Sequence, residues 1–155
     1  MLYYPARLKR KRPEWLWMLW GAEVGYLGDL LREVYDALAA DATMLAAMGV
    51  RAMLERLMVT KVGDQAAFAN TIAAFLKNGS VSKREYACLK KILEVWQAAT
   101  DRAFRPTKGD TFTPLDITEH LIADLYVHDG AVDCVSNRVL PRVRVQKIPE
   151  ENDKP

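Results

Sequence analysis

The feature that most constrains the fold is a series of apolar stripes at helical spacing, separated by turn and capping residues. The first stripe recurs with a period near 3.6, as Val24, Leu27, Leu31, Val34 and Leu38. This spacing places apolar side chains on one face of a helix. Four further segments follow the same rule before about residue 127. The sequence therefore predicts an all-α fold, a compact bundle of about five helices.

Aspartates and glycines delimit the second and third helices. Asp41 is expected to cap a second helix that runs to about Lys61 and closes at Gly63. Its apolar residues spread most of the way round the helix, so it should be central in the bundle. Asp64 is expected to cap the third helix, which ends at a polar turn over residues 77–80.

Two further patterns predict where the fourth and fifth helices begin. Ser82 and Glu85 fit a capping box at the start of the fourth helix. Thr113 precedes Pro114, an arrangement typical of a helix start because proline fits the first helical position. The fifth helix is predicted from there to about Val127.

At 155 residues, the chain fits one domain. Residues 1–13 are predicted to form a basic extended arm, 14–137 the helical core and 138–155 an extended tail. The apolar stretches are too short for a membrane span, so no membrane partner is expected. Cys88 and Cys134 have neither metal-ligand spacing nor the density of a disulfide scaffold, which indicates a reducing cytoplasm.

Positive charge is concentrated at the two ends of the chain, although the net charge is only +2. The cations are Arg7, Lys9, Arg10, Lys11 and Arg12 at one end and Arg138, Arg142, Arg144 and Lys147 at the other. They are either solvated ends or a surface for phosphate or a partner. Nucleic-acid binding through the arm and tail therefore stays open.

Arg51 and Glu55 lie one helical turn apart, within the arc of Met44, Met48 and Met58. Charges inside an apolar arc are costly unless they are paired. One interpretation is a buried ion pair, whose loss as Arg51→Ala would cost about 3 to 5 kcal/mol. The other is an anion or ligand site that Arg102 or Arg105 completes.

The fifth helix carries His120, Asp124 and His128 at i, i+4 and i+8. This spacing can place three metal-capable side chains on one face. A solvated face is the preferred interpretation, and neither a metal nor a cofactor is expected.

Blocks along nearly the whole chain resemble the domain-of-unknown-function 4145 family. They include Tyr3-Tyr4-Pro5, Pro13-Glu14-Trp15-Leu16, Glu33-Val34-Tyr35, residues 48–55, Lys61-Val62-Gly63-Asp64, residues 78–82, residues 98–107, Asp116-Ile117-Thr118-Glu119 and Leu140-Pro141-Arg142. That family is similar to the helical HEPN superfamily (higher eukaryotes and prokaryotes nucleotide-binding). The resemblance implies a HEPN-like bundle and a bacterial defence, toxin–antitoxin or mobile-element context.

The resemblance also locates a surface on the fourth helix. Lys90, Glu94, Gln97 and Asp101 form one polar stripe there. In active HEPN ribonucleases an arginine precedes a histidine by five to seven residues, whereas this chain has Asp101 at the histidine position. The positions that would hold the arginine are 94–96, where it has Glu-Val-Trp. A stripe with two carboxylates repels phosphate, so no catalytic residue is predicted.

These observations favour a non-catalytic module that binds a partner protein or itself. Trp15, Trp17 and Trp20 fall within six residues, are expected to begin a short helix, and suggest self-association. The alternative is an RNA- or nucleotide-binding HEPN-like protein with a degenerate ribonuclease site. The predicted ligand- or anion-binding residues are Arg51, Glu55, Asp101, Arg102 and Arg105.

Overall fold

Helices account for most of the part of the chain that can be described. The computed structural model describes residues 10–21, 24–102 and 104–139, with all side chains except those of 95, 98–100 and 102. Within these ranges the chain forms no strand. The α-helices are α1 (Val24–Ala39), α2 (Thr43–Val62), α3 (Phe68–Lys77), α4 (Lys83–Arg102), α5 (Lys108–Ile122) and α6 (Asp129–Ser136). The predicted all-α bundle is confirmed.

Helix α2 is the centre of the bundle, as its apolar pattern predicted, and packs against α1, α3 and α5. The buried side chains of α2 are Ala46, Ala47, Val50, Met53, Leu54, Leu57 and Met58. At Gly49 the helix approaches α1 so closely that an added Cβ would lie 2.5 Å from Val34 Cγ2. Gly63 ends α2 at φ 76°, a left-handed conformation that glycine adopts without steric cost.

The segment before α1 is part of the core. A short 3-10 helix spans Glu14–Met18, so the short helix predicted from the tryptophan cluster is confirmed. Arg12 pairs with Asp36 near the end of α1, and Leu19 lies against Gly28 nearer its start. The segment therefore runs antiparallel to α1. Leu16 and Leu19 are buried on one side of it.

Two of the predicted caps are wrong. Helix α2 begins at Thr43, with Ala42 at the capping position and no side-chain cap. Asp41 lies in a turn at φ 59°, and its carboxylate pairs with Lys108 on α5. Asp64 accepts a hydrogen bond from the Ala66 N–H at 2.8 Å. That turn competes with helix formation, and α3 begins only at Phe68.

The capping box of α4 is confirmed: the Glu85 N–H donates to Ser82 Oγ at 3.2 Å and the Ser82 N–H to Glu85 Oε2 at 2.8 Å. The predicted start of the last long helix at Thr113 is wrong. Helix α5 begins at Lys108 because Thr107 and Asp110 form a capping box of their own. That box satisfies free backbone donors six residues before the predicted start, so Pro114 lies inside the helix.

The helical stretch that begins with α5 extends beyond its predicted end near Val127. A π-helical segment, Ala123–His128, continues α5 directly into α6. No residue of α6 is buried. Most of the predicted extended tail, from residue 140 onward, lies outside the described residues, as do residues 1–9 of the predicted arm. None of the described helices has the length and apolar character that crossing a bilayer would need.

Candidate functional site

The predicted buried ion pair between Arg51 and Glu55 is wrong. Glu55 is exposed and Arg51 only half-buried, and no ion pair joins these two described side chains. The Arg51 guanidinium lies 6.0 Å from the centre of the Phe68 ring. The arc that a helical wheel assigns to the core opens to solvent here, since Met48 is 61% exposed.

The remaining predicted site residues do not converge in the described part of the chain. Asp101 is exposed on α4, and the side chain of Arg102 lies outside the described set. Arg105 is exposed and lines an open cleft of about 320 Å³ with residues 41–45 at the start of α2. No hydrogen bond or ion pair links Arg51, Asp101 and Arg105 to one another.

The polar stripe of α4 faces solvent along its length, because Lys90, Glu94, Gln97 and Asp101 are all exposed. The predicted solvated histidine face behaves similarly. His128 Nδ1 lies 3.7 Å from Asp124 Oδ1, whereas His120 Nε2 lies 3.8 Å from Glu85 Oε1 on α4. Among the described residues no group of three or more His, Cys, Asp or Glu side chains is arranged to hold a metal ion.

Arg10 is the centre of a polar cluster between the N-terminal segment, α1 and α5. Its Nη2 donates to Glu119 Oε2 at 2.9 Å and to Asp116, and its Nε donates to Tyr35 Oη at 3.1 Å. The guanidinium lies 5.4 Å from the centre of the Phe112 ring and 6.0 Å from that of Tyr35. Tyr35, Phe112, Asp116 and Glu119 are called the arginine site below.

The arginine site is half-buried, and burial shifts the pKa values of its titratable groups. The Tyr35 phenol donates to Glu119 Oε1, and burial together with this bond raises the pKa of Tyr35 to about 12. Burial also raises the pKa of Glu119, against the opposing effects of Tyr35 and Arg10. Burial alone would lower the pKa of Arg10. Its bonds to Asp116 and Tyr35 and the charge of Glu119 outweigh that and raise it.

Neither interpretation of the basic arm therefore holds for Arg10, whereas Arg12 stays exposed, with 47% of its side chain open to solvent. Arg10 is neither a solvated cation nor free for a phosphate, and Arg12 pairs with Asp36. A sequence signal for this cluster existed in α5. Glu119 lies four residues after Leu115 and three before Ile122, which places a carboxylate on the apolar face. A charge there requires a partner, but nothing local indicates an arginine 109 residues away.

A second surface feature lies where the N-terminal segment meets α1. Trp17 is 66% exposed and Trp20 is 75% exposed; Met18, which lies between them, and Tyr26, in the first turn of α1, are exposed as well. The Arg56 guanidinium lies 5.8 Å from the centre of the Tyr26 ring. These four apolar residues, Trp17, Met18, Trp20 and Tyr26, are called the tryptophan corner below.

The described part of the chain is thus an all-α helical bundle. The chain belongs to the family described as Domain of unknown function (DUF4145), whose model matches residues 32–150, more than half of the chain. Neither a curated protein nor a solved structure matches it. The match includes Tyr35, Phe112, Asp116 and Glu119, whereas Arg10 and the whole tryptophan corner precede it.

Proposed function

We propose that this domain is a non-catalytic protein-interaction module that binds a second copy of itself through the tryptophan corner. The observation that carries the proposal is the exposure of Trp17 and Trp20, at 66% and 75%. Two large aromatic side chains this open to water gain free energy when another surface covers them.

The exposed area is large enough to form the centre of an interface. The two tryptophans and Tyr26 leave about 450 Å² in contact with water, if each ring can bury roughly 200 to 250 Å². A stable interface of ordinary size covers about 800 Å² on each partner. The corner therefore supplies about half of what is needed. Its aromatic rings and methionine, with Arg56 next to Tyr26, are the residue types of an interface centre.

A second copy is the favoured occupant because the corner is self-complementary in chemistry. Around a two-fold axis each copy presents the same patch, so rings meet rings and Arg56 can meet an aromatic face of the partner. The corner also carries little net charge, so two copies would not repel one another. Twofold pairing covers both exposed tryptophans at once.

The test is the molar mass in solution as a function of concentration. Sedimentation velocity or light scattering should give a mass approaching twice 17.5 kDa as the concentration rises. The double variant Trp17→Ser and Trp20→Ser should remain a monomer with an unchanged helical circular dichroism spectrum. A wild-type monomer at every practical concentration would refute the proposal.

Leu45→Ser is the matched control. Leu45 is 65% exposed and lies on α2, 11 residues or about 16 Å along the helix from Arg56 beside the corner. Its loss should leave the mass distribution unchanged. If Leu45→Ser abolished dimers as fully as the tryptophan variants, general apolar stickiness would explain the association, and the corner would not.

RNA or nucleotide binding by a HEPN-like fold is the alternative. The geometry supports it less, because Arg10 and Arg12 pair with carboxylates of the domain itself. We expect no chelator-insensitive cleavage of single-stranded RNA by the wild type or by Asp101→His, since Glu94 would still repel the phosphate. Cleavage by the wild type that Asp101→Ala abolishes would overturn the proposal and establish the alternative. The genes that neighbour this one would test the defence or toxin context that the resemblance implies.

A further inference from the structure

The arginine site has the groups that recognise a guanidinium. Two carboxylates, Asp116 and Glu119, accept from one terminal nitrogen, and the Tyr35 oxygen accepts from Nε. The Phe112 ring covers the planar group at 5.4 Å. Acceptors around the edge and an aromatic ring near the face match the fork of N–H donors and the delocalised charge of arginine.

Two of the acceptors, Tyr35 and Glu119, are held together without help from Arg10. Tyr35 on α1 donates directly to Glu119 on α5, and both helices pack on α2. The N-terminal segment has its own anchors, since Leu16 and Leu19 are 6% and 4% exposed. Removing the Arg10 side chain should therefore leave the segment docked and the site formed but unfilled.

The site and its occupant also come from separable parts of the chain. Tyr35, Phe112, Asp116 and Glu119 all lie in the segment that matches the family, whereas Arg10 precedes it. Asp116 is 62% exposed as a side chain, and Glu119 only 14%. The site therefore opens to solvent on the Asp116 side, where a ligand can enter.

We propose that Tyr35, Phe112, Asp116 and Glu119 form a binding site for the side chain of arginine, which Arg10 fills in the structure and which an arginine-bearing peptide fills when Arg10 is absent. The site selects arginine over lysine, because an ammonium group has one nitrogen and cannot reach Tyr35 and the carboxylates from two directions. This inference is independent of self-association, since a monomer could hold the same site.

The experiment uses the full chain with Arg10→Ala and, as a milder variant that keeps an aliphatic stem, Arg10→Gln. Each is titrated with Nα-acetyl-arginine amide, and with Nα-acetyl-lysine amide at the same ionic strength. Binding is followed by the melting temperature and by ligand-observed NMR. The arginine compound should raise the melting temperature by about 3 to 6 °C at ten times its dissociation constant.

Three controls isolate the site. The wild type should not respond, because Arg10 occupies the site at a high effective concentration. Arg12→Ala should not respond either, since its partner Asp36 is 70% exposed as a side chain and offers no enclosed pocket. Adding Glu119→Gln to Arg10→Ala should weaken binding by about tenfold or more, because a charged acceptor is lost.

The outcomes decide the matter even if the variants fold poorly. If they are unfolded alone, the arginine compound should restore a cooperative melting transition, and failure to do so overturns the proposal. No response of either folded variant to the arginine compound overturns it as well. So does an equal response to the lysine compound, which would indicate a site for any cation.

Discussion

Substituting alanine for Gly49 tests the close packing of α1 on α2. In an exposed helix interior this change stabilises a protein by about 1 kcal/mol, because alanine is the better helix former. At this position the new Cβ would lie 2.5 Å from Val34 Cγ2. The favoured distance between two carbon atoms is about 3.5 to 4.0 Å, so at least one of the helices must move.

The cost follows from how little Val34 can yield. Its side chain is 2% exposed, and a β-branched residue in a helix has one strongly preferred rotamer. Rotating it away or separating the helices by about 1 Å is overpacking, which costs roughly 1 to 3 kcal/mol. After the gain of about 1 kcal/mol in helix propensity, Gly49→Ala should lower the free energy of unfolding by up to about 2 kcal/mol.

Urea unfolding of four proteins measures the contact directly: the wild type, Gly49→Ala, Val34→Ala and the double variant. Val34→Ala alone should cost about 1 to 2 kcal/mol because it leaves a cavity. The double variant should be more stable than the sum of the single effects predicts, by about 1 kcal/mol, because the new methyl group enters that cavity.

Gly25 provides the matched control within α1. A Cβ added there meets no atom within 4 Å, so Gly25→Ala should be neutral or stabilise by up to about 1 kcal/mol. Additive effects in the four-protein comparison would refute the packing argument. A Gly49→Ala variant as stable as Gly25→Ala would refute it too.

Three further measurements follow from the structure. Arg51→Ala should lower the free energy of unfolding by only about 0.5 to 1 kcal/mol, as for a partly exposed cation over Phe68; a loss of 3 to 5 kcal/mol would restore the buried pair. Bonds from the Ser82 N–H and hydroxyl lower the pKa of Glu85, so the stabilisation by Glu85 is present above the ordinary carboxyl pKa and is lost as pH falls. From about pH 6 to about pH 3 the wild type should therefore lose more stability than Glu85→Gln. Equal losses in the two proteins would contradict this. Because the pKa of Tyr35 is raised to about 12, its stabilisation is present below the ordinary phenol pKa and is lost as pH rises through about 12. Ultraviolet titration should show a late phenol that Tyr35→Phe removes, and identical titrations of the two proteins would contradict the burial of Tyr35.

Local patterns in the sequence predicted the helices but not all of their ends. The apolar patterns of α1 and α2 and the capping box at Ser82 depend on residues within a few helical turns, so the sequence alone predicts them. The start of α5 was misplaced because two local signals compete there. The Thr107 capping box satisfies backbone donors with two side chains, and α5 contains Pro114 in spite of the cost that a proline usually has inside a helix.

The arginine site could not be predicted because it depends on contacts between distant segments. Arg10 lies 25, 106 and 109 residues from Tyr35, Asp116 and Glu119, and no period or spacing relates such positions. The error at Arg51 has the opposite cause. A helical wheel assumes that an apolar arc is covered along its whole length, whereas none of the described elements covers α2 at Met48, which is 61% exposed.

Side chains of the N-terminal segment alternate between the core and solvent, and this alternation connects the two proposals. Leu16 and Leu19 point into the bundle while Trp17 and Trp20, one position further along, point to solvent. The leucines and Arg10 therefore fix the backbone from which the tryptophans project. A surface held this way loses little conformational entropy when it binds, whereas the same aromatics on a loose arm would have to be ordered first. The two buried leucines are enough to hold this backbone, so the tryptophan corner should keep its place even when Arg10 is replaced and the arginine site is empty.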